Sequence, residues 1–182
     1  MTCIVGIVDK LNNNVVMGAD SAAANGSIIV SRKDTKMFRK GDFIIGCTTS
    51  YRMIQLLQYS LNLPEIGDKD IFEYLCTDFI NAVRECFTEG GFIQHSTDGD
   101  EQGGHFLVAY KNRLFHVEGD FQVGEMIDGI DACGCGQDYA LGALYSMKNT
   151  NLTATEIIME ALKSAAHFSP GVQSPFLLLK TG

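Results

Sequence analysis

Thr2 is the residue of this 182-residue chain that most directly suggests chemistry. A hydroxyl group is a weak nucleophile, but an adjacent amine can accept its proton and activate it. Methionine followed by a small residue is a good substrate for methionine aminopeptidase, so removal of Met1 would leave Thr2 with a free α-amino group. The pKa of such an amine is about 8, which makes it an available base near neutral pH. Because many proteins begin Met-Thr, Thr2 alone does not indicate a nucleophile, and the residues that lie beside it must decide whether it is one.

An acidic residue is predicted beside Thr2. Residues 2–9 form a short apolar run rich in β-branched side chains, which predicts a buried strand. Three consecutive asparagines, residues 12–14, favour a turn, and residues 15–20 predict the returning strand. Antiparallel pairing brings the end of the second strand next to the start of the first. The hairpin therefore predicts that Asp20 lies near Thr2.

The rest of the chain divides into alternating groups of strands and helices. Further strands are predicted at 27–31, 35–39, 43–47, 105–111, 113–118, 121–127 and 175–180. Helices are predicted at 50–61, 69–88, 137–147 and 153–167. Thr153 and Glu156 have the spacing of a capping box. A glycine-rich acidic loop is predicted at 89–104, where Asp98, Asp100 and Glu101 fit a solvated loop better than a calcium site.

This order predicts one domain spanning residues 1–182. Antiparallel strands that are segregated from helices indicate an α+β fold. Two groups of strands and two pairs of helices favour a four-layer αββα sandwich, in which helices cover the outer faces of two stacked sheets.

Composition excludes several classes of function. The net charge of −8 argues against binding to nucleic acids or to anionic membranes. No apolar run approaches the roughly 20 residues of a membrane span, and no signal peptide is visible. We therefore expect a reducing, cytoplasmic location and six free cysteines. The pair Cys133 and Cys135 lacks a second cysteine pair and the four histidines are scattered, so no metal ion or other cofactor is predicted.

The chain resembles the proteasome β-subunit and HslV peptidase family over nearly its full length. The order and spacing of several short motifs carry the resemblance. These motifs are Thr2-Cys3-Ile4-Val5-Gly6, Gly18-Ala19-Asp20-Ser21, Asp34-Thr35-Lys36-Met37, Ile45-Gly46-Cys47-Thr48-Thr49-Ser50 and Gly134-Cys135-Gly136-Gln137. The resemblance implies an N-terminal nucleophile (Ntn) hydrolase whose nucleophile is Thr2.

The resemblance also implies roles for other residues. Lys36 would lie close to Thr2, and its ammonium would lower the proton affinity of the Thr2 amine and hydroxyl. Asp20 would pair with Lys36 and hold it charged and oriented. The backbone N–H of Ser50, unpaired at the start of a helix, would stabilise the oxyanion of the tetrahedral intermediate.

Two positions depart from the family pattern. Cys135 stands where a serine usually helps to orient the N-terminal amine, and a thiol is a weaker hydrogen-bonding partner. Ser169 stands where an aspartate is expected after the last helix. Both residues are included among the candidate catalytic residues.

The expected activity is therefore hydrolysis of peptide bonds in peptides or unfolded proteins through an acyl-enzyme on Thr2. The resemblance implies self-association into one or two stacked rings, and an AAA+ ATPase that unfolds proteins is a plausible partner. Two alternatives remain open at this point. The chain could be a divergent or inactive subunit with a role in ring assembly, or an Ntn amidase that acts on small amides.

Overall fold

Two stacked antiparallel sheets form the centre of the protein. The structure, a computed structural model, describes residues 1–25, 28–95 and 101–182. Thirteen strands lie within those ranges, nine of them in the two stacked sheets and four in two separate strand pairs. The strands are β1 (Ile4–Asp9), β2 (Asn14–Ala19), β3 (Ala22–Asn25), β4 (Ile28–Ser31), β5 (Met37–Lys40), β6 (Phe43–Cys47), β7 (Gln94–His95), β8 (Glu101–Gln102), β9 (Phe106–Tyr110), β10 (Arg113–Val117), β11 (Val123–Glu125), β12 (Ile130–Cys133) and β13 (Leu177–Lys180).

The first sheet has the strand order β12-β1-β2-β13, and the second has the order β11-β10-β9-β6-β5. The strands β3 and β4 pair with each other, as do β7 and β8. In the β1–β2 hairpin, Asn13 takes a positive φ of 53°, as the asparagine cluster predicts.

Helices cover the outer face of each sheet. They are α1 (Tyr51–Gln55), α2 (Ile71–Tyr74), α3 (Ile80–Glu89), α4 (Gln137–Met147) and α5 (Ala154–Phe168). The helix α1 continues as a π-helical segment, Leu56–Ser60, and a second such segment, Leu75–Phe79, joins α2 to α3. Thr153 and Glu156 form the expected capping box at the start of α5.

Three apolar layers hold the elements together, because alternate residues of each central strand face opposite ways. On β1, Val5 packs towards α4 and α5, whereas Ile4 packs against the second sheet. On β6, Ile44 faces the first sheet and Ile45 faces α1, α2 and α3. The order of layers is therefore helix, sheet, sheet, helix, and the predicted αββα sandwich is confirmed.

Several predicted boundaries were wrong. The strands β3 and β12 were not predicted, because Ala22–Asn25 is alanine-rich and Ile130–Cys133 is short, with an acidic residue in its middle. The loop predicted at 89–104 contains β7 and β8. Asp98 and Asp100 lie outside the described residues. Within the described ranges, none of the helices has the length and apolar character needed to cross a bilayer.

Candidate active site

Thr2 lies at the end of the first sheet, where two neighbouring strands meet it. Ile4 pairs with Ala19 on β2 and with Cys133 on β12. Residues just beyond these pairs, Asp20 on one side and 134–136 on the other, therefore lie next to the start of the chain. Thr2 is buried, whereas Met1 is half-exposed.

Asp20 is held by the backbone on three sides. Its Oδ1 accepts a hydrogen bond from the N–H of Cys3 at 2.9 Å. Its Oδ2 accepts from the N–H of Ala22 at 2.9 Å and from the N–H of Gln173 at 3.3 Å. The carboxylate is completely buried. These three backbone donors alone therefore fix the carboxylate in one orientation.

Lys36 reaches Asp20 from the second sheet. It precedes β5, and its carbonyl oxygen accepts a hydrogen bond from the N–H of Cys47 on β6 at 2.8 Å. Its Nζ lies 2.8 Å from Asp20 Oδ1, and both side chains are almost fully buried. Burial lowers the pKa of Lys36, although the charge and hydrogen bond of Asp20 oppose this effect. A buried ion pair thus joins the two sheets directly beside Thr2.

The carbonyl oxygen of Met1 connects this ion pair to Thr2. It accepts a hydrogen bond from Thr2 Oγ1 at 2.5 Å and another from Lys36 Nζ at 3.1 Å. The hydroxyl and the ammonium therefore converge on one oxygen atom, which belongs to the acyl group on the Thr2 nitrogen. A carbonyl group can be bound at this point by both side chains at once.

Cys135 and Ser169 approach Thr2 from the other side. The N–H of Thr2 lies 3.2 Å from Cys135 Sγ, and the same sulfur lies 3.5 Å from Thr2 O. Ser169 follows α5, and its Oγ lies 3.5 Å from Cys135 O and 3.6 Å from Cys135 Sγ. Cys135 therefore contacts the nitrogen that would become the free amine, and Ser169 contacts Cys135.

Glycines allow this close approach. A Cβ atom at Gly134 would lie 2.3 Å from Thr2 O, and the φ of Gly134 is +99°. A Cβ atom at Gly171 would lie 2.6 Å from Met1 Cβ and 2.7 Å from Cys135 Sγ. At Gly134 only a residue without a side chain fits, because the close atoms belong to the backbone of Thr2 and the φ is positive. The role of Gly171 was not predicted, nor was that of the Gln173 backbone, because both depend on the path of the chain after α5.

The Ser50 N–H, which was expected to be unpaired, is engaged in this conformation. It donates to Thr48 O at 2.7 Å across a three-residue turn in which Thr49 has a positive φ of 58°. Ser50 Oγ accepts from the N–H of Arg52, so Ser50 is the N-cap of α1. A positive φ is unusual for a β-branched residue, and the turn directs the Ser50 N–H towards Thr48.

The structure therefore brings Thr2, Asp20, Lys36, Cys135 and Ser169 together through a chain of direct contacts.

Four of the six cysteines are buried and two, Cys76 and Cys135, are exposed, and all six are free thiols. Burial and the Asp20 carboxylate raise the pKa of the Cys3 thiol to about 12, so this neighbour of Thr2 stays protonated at neutral pH.

Comparisons with solved structures identify the fold. Thiobacillus denitrificans BPH is 24% identical, with 97% of this chain and 96% of that chain covered and a TM-score of 0.81; it has also been solved in complex with epoxomicin. Eukaryotic HslV from Trypanosoma brucei is 18% identical, with 98% of each chain covered and a TM-score of 0.69.

A third similar structure is Anbu from Hyphomicrobium sp. strain MC1, a Gly-1 mutant. It is 16% identical, with 98% of this chain and 80% of that chain covered and a TM-score of 0.70. A scan against protein-family models finds no match. The resemblance to the proteasome and HslV family is confirmed at the level of the fold: this chain shares the fold of these solved structures.

Proposed function

We propose that this chain is a threonine-type peptidase subunit in which Thr2 is the nucleophile once Met1 has been removed. The observation that carries the proposal is the Met1 carbonyl oxygen, which the Thr2 hydroxyl and the Lys36 ammonium both contact. A substrate carbonyl bound in the same place would lie beside the nucleophile and beside a positive charge held by Asp20. Peptides and unfolded proteins are the proposed substrates.

In the proposed reaction, the free amine of Thr2 accepts the proton from Oγ1 as the oxygen attacks the carbonyl carbon of the scissile bond. The C–N bond then breaks, and the leaving amine takes a proton from the Thr2 ammonium. Water hydrolyses the resulting ester with the Thr2 amine again acting as base. The Lys36 ammonium favours the neutral form of that amine and the negative charge that develops on oxygen.

Ser50 would supply the remaining hydrogen bond to the oxyanion. Because its N–H donates to Thr48 O in this structure, the turn through Thr49 must open for this role. The positive φ of Thr49 favours such a change, since a β-branched residue is strained in this region. We therefore propose that the bound carbonyl competes with Thr48 O for the Ser50 N–H.

Two alternatives use the same fold without this reaction. The engaged Ser50 N–H favours the first of them, an inactive subunit with a structural role in assembly. The second is an amidase that acts on small amides. A panel of peptides and small acyl amides separates the second from a peptidase, because cleavage of small amides alone would exclude peptidase activity.

The direct test combines the mass of the purified protein with peptidase assays of Thr2→Ala and Thr2→Ser. A peptidase requires loss of Met1, abolished turnover in Thr2→Ala and residual turnover in Thr2→Ser. The matched control is Thr88→Ala, because Thr88 is an exposed threonine on α3, on the outer face of the second sheet. If Thr2→Ala turns over peptides as fast as Thr88→Ala does, the proposal is wrong.

Binding of epoxomicin offers a second readout. The Thiobacillus denitrificans protein that shares this fold has been solved with this compound. We expect epoxomicin to inhibit the wild-type protein and to have no detectable binding to Thr2→Ala. Retention of Met1 together with no epoxomicin binding by the wild type would favour the structural alternative.

Assembly is the second part of the proposal. The family resemblance implies one or two stacked rings of identical subunits in the cytoplasm, with an AAA+ ATPase as a possible partner. The strand β4 exposes Ile28, Ile29 and Val30, an apolar patch that another subunit could cover. Native mass spectrometry tests this, because replacing Ile28 and Val30 with serine should reduce ring formation if the patch is an interface.

A further inference from the structure

A cluster of two histidines and one glutamate lies at one end of the inner strands β9 and β10 of the second sheet, and it includes none of the catalytic candidates. Val117 on β10 pairs with Phe106 on β9. Glu118, which follows β10, and His105, which precedes β9, therefore face each other. His116 lies two residues before Glu118 and therefore points to the same face. One ligand atom from each of these three side chains lies within 4.8 Å of the other two.

We propose that His105, His116 and Glu118 bind a divalent transition-metal ion of the zinc type. Two imidazole nitrogens and one carboxylate oxygen form a ligand set that zinc accepts, and three protein ligands leave one position open. The His105 side chain is 50% exposed and that of Glu118 is 37% exposed, so an ion could enter from solvent. His105 Nδ1 and Glu118 Oε2 lie 2.6 Å apart, so rotation of these two side chains would let both coordinate one ion.

The Nε2 atom of His116 is the second observation that points to a ligand. This residue is 7% exposed, and its Nε2 is buried without a hydrogen-bond partner among the described residues. The nearest carboxylate oxygen, Glu118 Oε1, is 3.7 Å away, which is too far for a hydrogen bond. A buried polar atom without a partner is costly. A metal ion at Nε2 would satisfy it.

Asp131 orients His116 from the first sheet. Its Oδ2 lies 3.1 Å from His116 Nδ1, and its Oδ1 accepts a hydrogen bond from the N–H of Ala132. With the proton on Nδ1 donated to Asp131, the lone pair of Nε2 faces the cluster. Metal-binding histidines commonly donate their second nitrogen to a carboxylate in this way, because it fixes the ring and strengthens the ligand.

The backbone of His105 connects the cluster to the turn before α1. His105 O accepts hydrogen bonds from Thr48 N at 3.1 Å and Thr48 Oγ1 at 2.8 Å, and His105 N donates to Thr49 Oγ1 at 3.3 Å. A metal ion that fixes His105 would therefore also restrain the turn that contains the Ser50 N–H. This consequence for turnover rests on the proposed function, whereas metal binding does not.

The sequence did not predict this site, because the three ligands follow no common metal-binding spacing. His116 and Glu118 are two residues apart, but His105 joins them only through strand pairing, and Asp131 comes from the other sheet. Pairing of β9 with β10 brings the ligands together, and stacking of the two sheets adds Asp131.

The experiment is titration of the purified protein with Zn²⁺, after the exposed thiols have been alkylated so that they cannot bind the ion. We expect one equivalent of Zn²⁺ per chain, and Co²⁺ in its place should give the visible absorption of a nitrogen- and oxygen-ligated ion. Affinity should fall at least tenfold, an order-of-magnitude expectation, in His105→Ala and in Glu118→Gln. The isosteric Asp131→Asn should lose about 10- to 100-fold.

His167→Ala is the matched control, because His167 is an exposed histidine on α5 outside the cluster. It should bind Zn²⁺ like the wild type. The proposal is overturned if the wild type binds no Zn²⁺, or if His105→Ala and Glu118→Gln bind it as tightly as His167→Ala. Titration of Thr2→Ala separates the two proposals, since it should bind Zn²⁺ normally whether or not Thr2 is a catalytic residue.

Discussion

Replacing Asp20 with asparagine removes one charge from a buried ion pair while keeping the shape of the side chain. Each oxygen of Asp20 accepts two hydrogen bonds: Oδ1 from Cys3 and Lys36, and Oδ2 from Ala22 and Gln173. Asparagine has one oxygen, so its NH₂ group must face two of these donors. Whichever way the amide turns, hydrogen bonds are lost and Lys36 keeps a buried charge without a counter-ion.

The expected cost is large because the pair is shielded from water. Removing one partner of a buried ion pair lowers the free energy of unfolding by about 3–5 kcal/mol. We expect Asp20→Asn to fall in this range. Lys36→Met should cost less, since Asp20 would keep its three backbone donors. The double variant should be more stable than the sum of the two changes predicts by about 0.5–3 kcal/mol, because neither charge remains unpaired.

Urea denaturation followed by circular dichroism measures these differences at constant protein concentration. Asp128→Asn is the matched control, because Asp128 pairs with Lys148 at the surface and its side chain is 56% exposed. Exposed pairs contribute about 0–1 kcal/mol. The reasoning is refuted if Asp20→Asn costs no more than Asp128→Asn, or if the Asp20 and Lys36 changes are additive.

Two further predictions concern the surroundings of Thr2. Alkylation of the native protein should label the exposed Cys76 and Cys135 but not the buried Cys3, because the pKa of about 12 keeps the Cys3 thiol protonated even at pH 9. Peptide mass mapping measures the labelling of each cysteine, and rapid labelling of Cys3 would contradict the packing. Gly134→Ala should destabilise the protein by about 1–3 kcal/mol and abolish turnover, because its Cβ would lie 2.3 Å from Thr2 O and its φ is +99°. A normal melting temperature with normal turnover would show that the close approach is not required.

Much of the fold could be predicted because its strands and helices carry strong local patterns. The β1–β2 hairpin has apolar β-branched residues on both sides of an asparagine turn, and α5 has a capping box at its start. The strand β12 was not predicted, although it places residues 134–136 next to Thr2. Its four residues are too few to show a period, and Asp131 interrupts the apolar run.

The sequence by itself determined the candidate nucleophile and the carboxylate beside it, since antiparallel pairing of one hairpin brings Thr2 and Asp20 together. Local sequence also determined the capping box of Thr153 and Glu156 at the start of α5. These features depend on neighbouring residues, for which spacing along the chain is a reliable guide.

Only the tertiary structure decided the contacts between the sheets. Stacking of the second sheet on the first buries Lys36 against Asp20 and places His116 against Asp131. The turn at Thr49 that engages the Ser50 N–H is likewise tied to His105, more than fifty residues away. Such contacts join residues that are far apart in sequence, and their geometry follows from the packing of whole layers rather than from any local pattern.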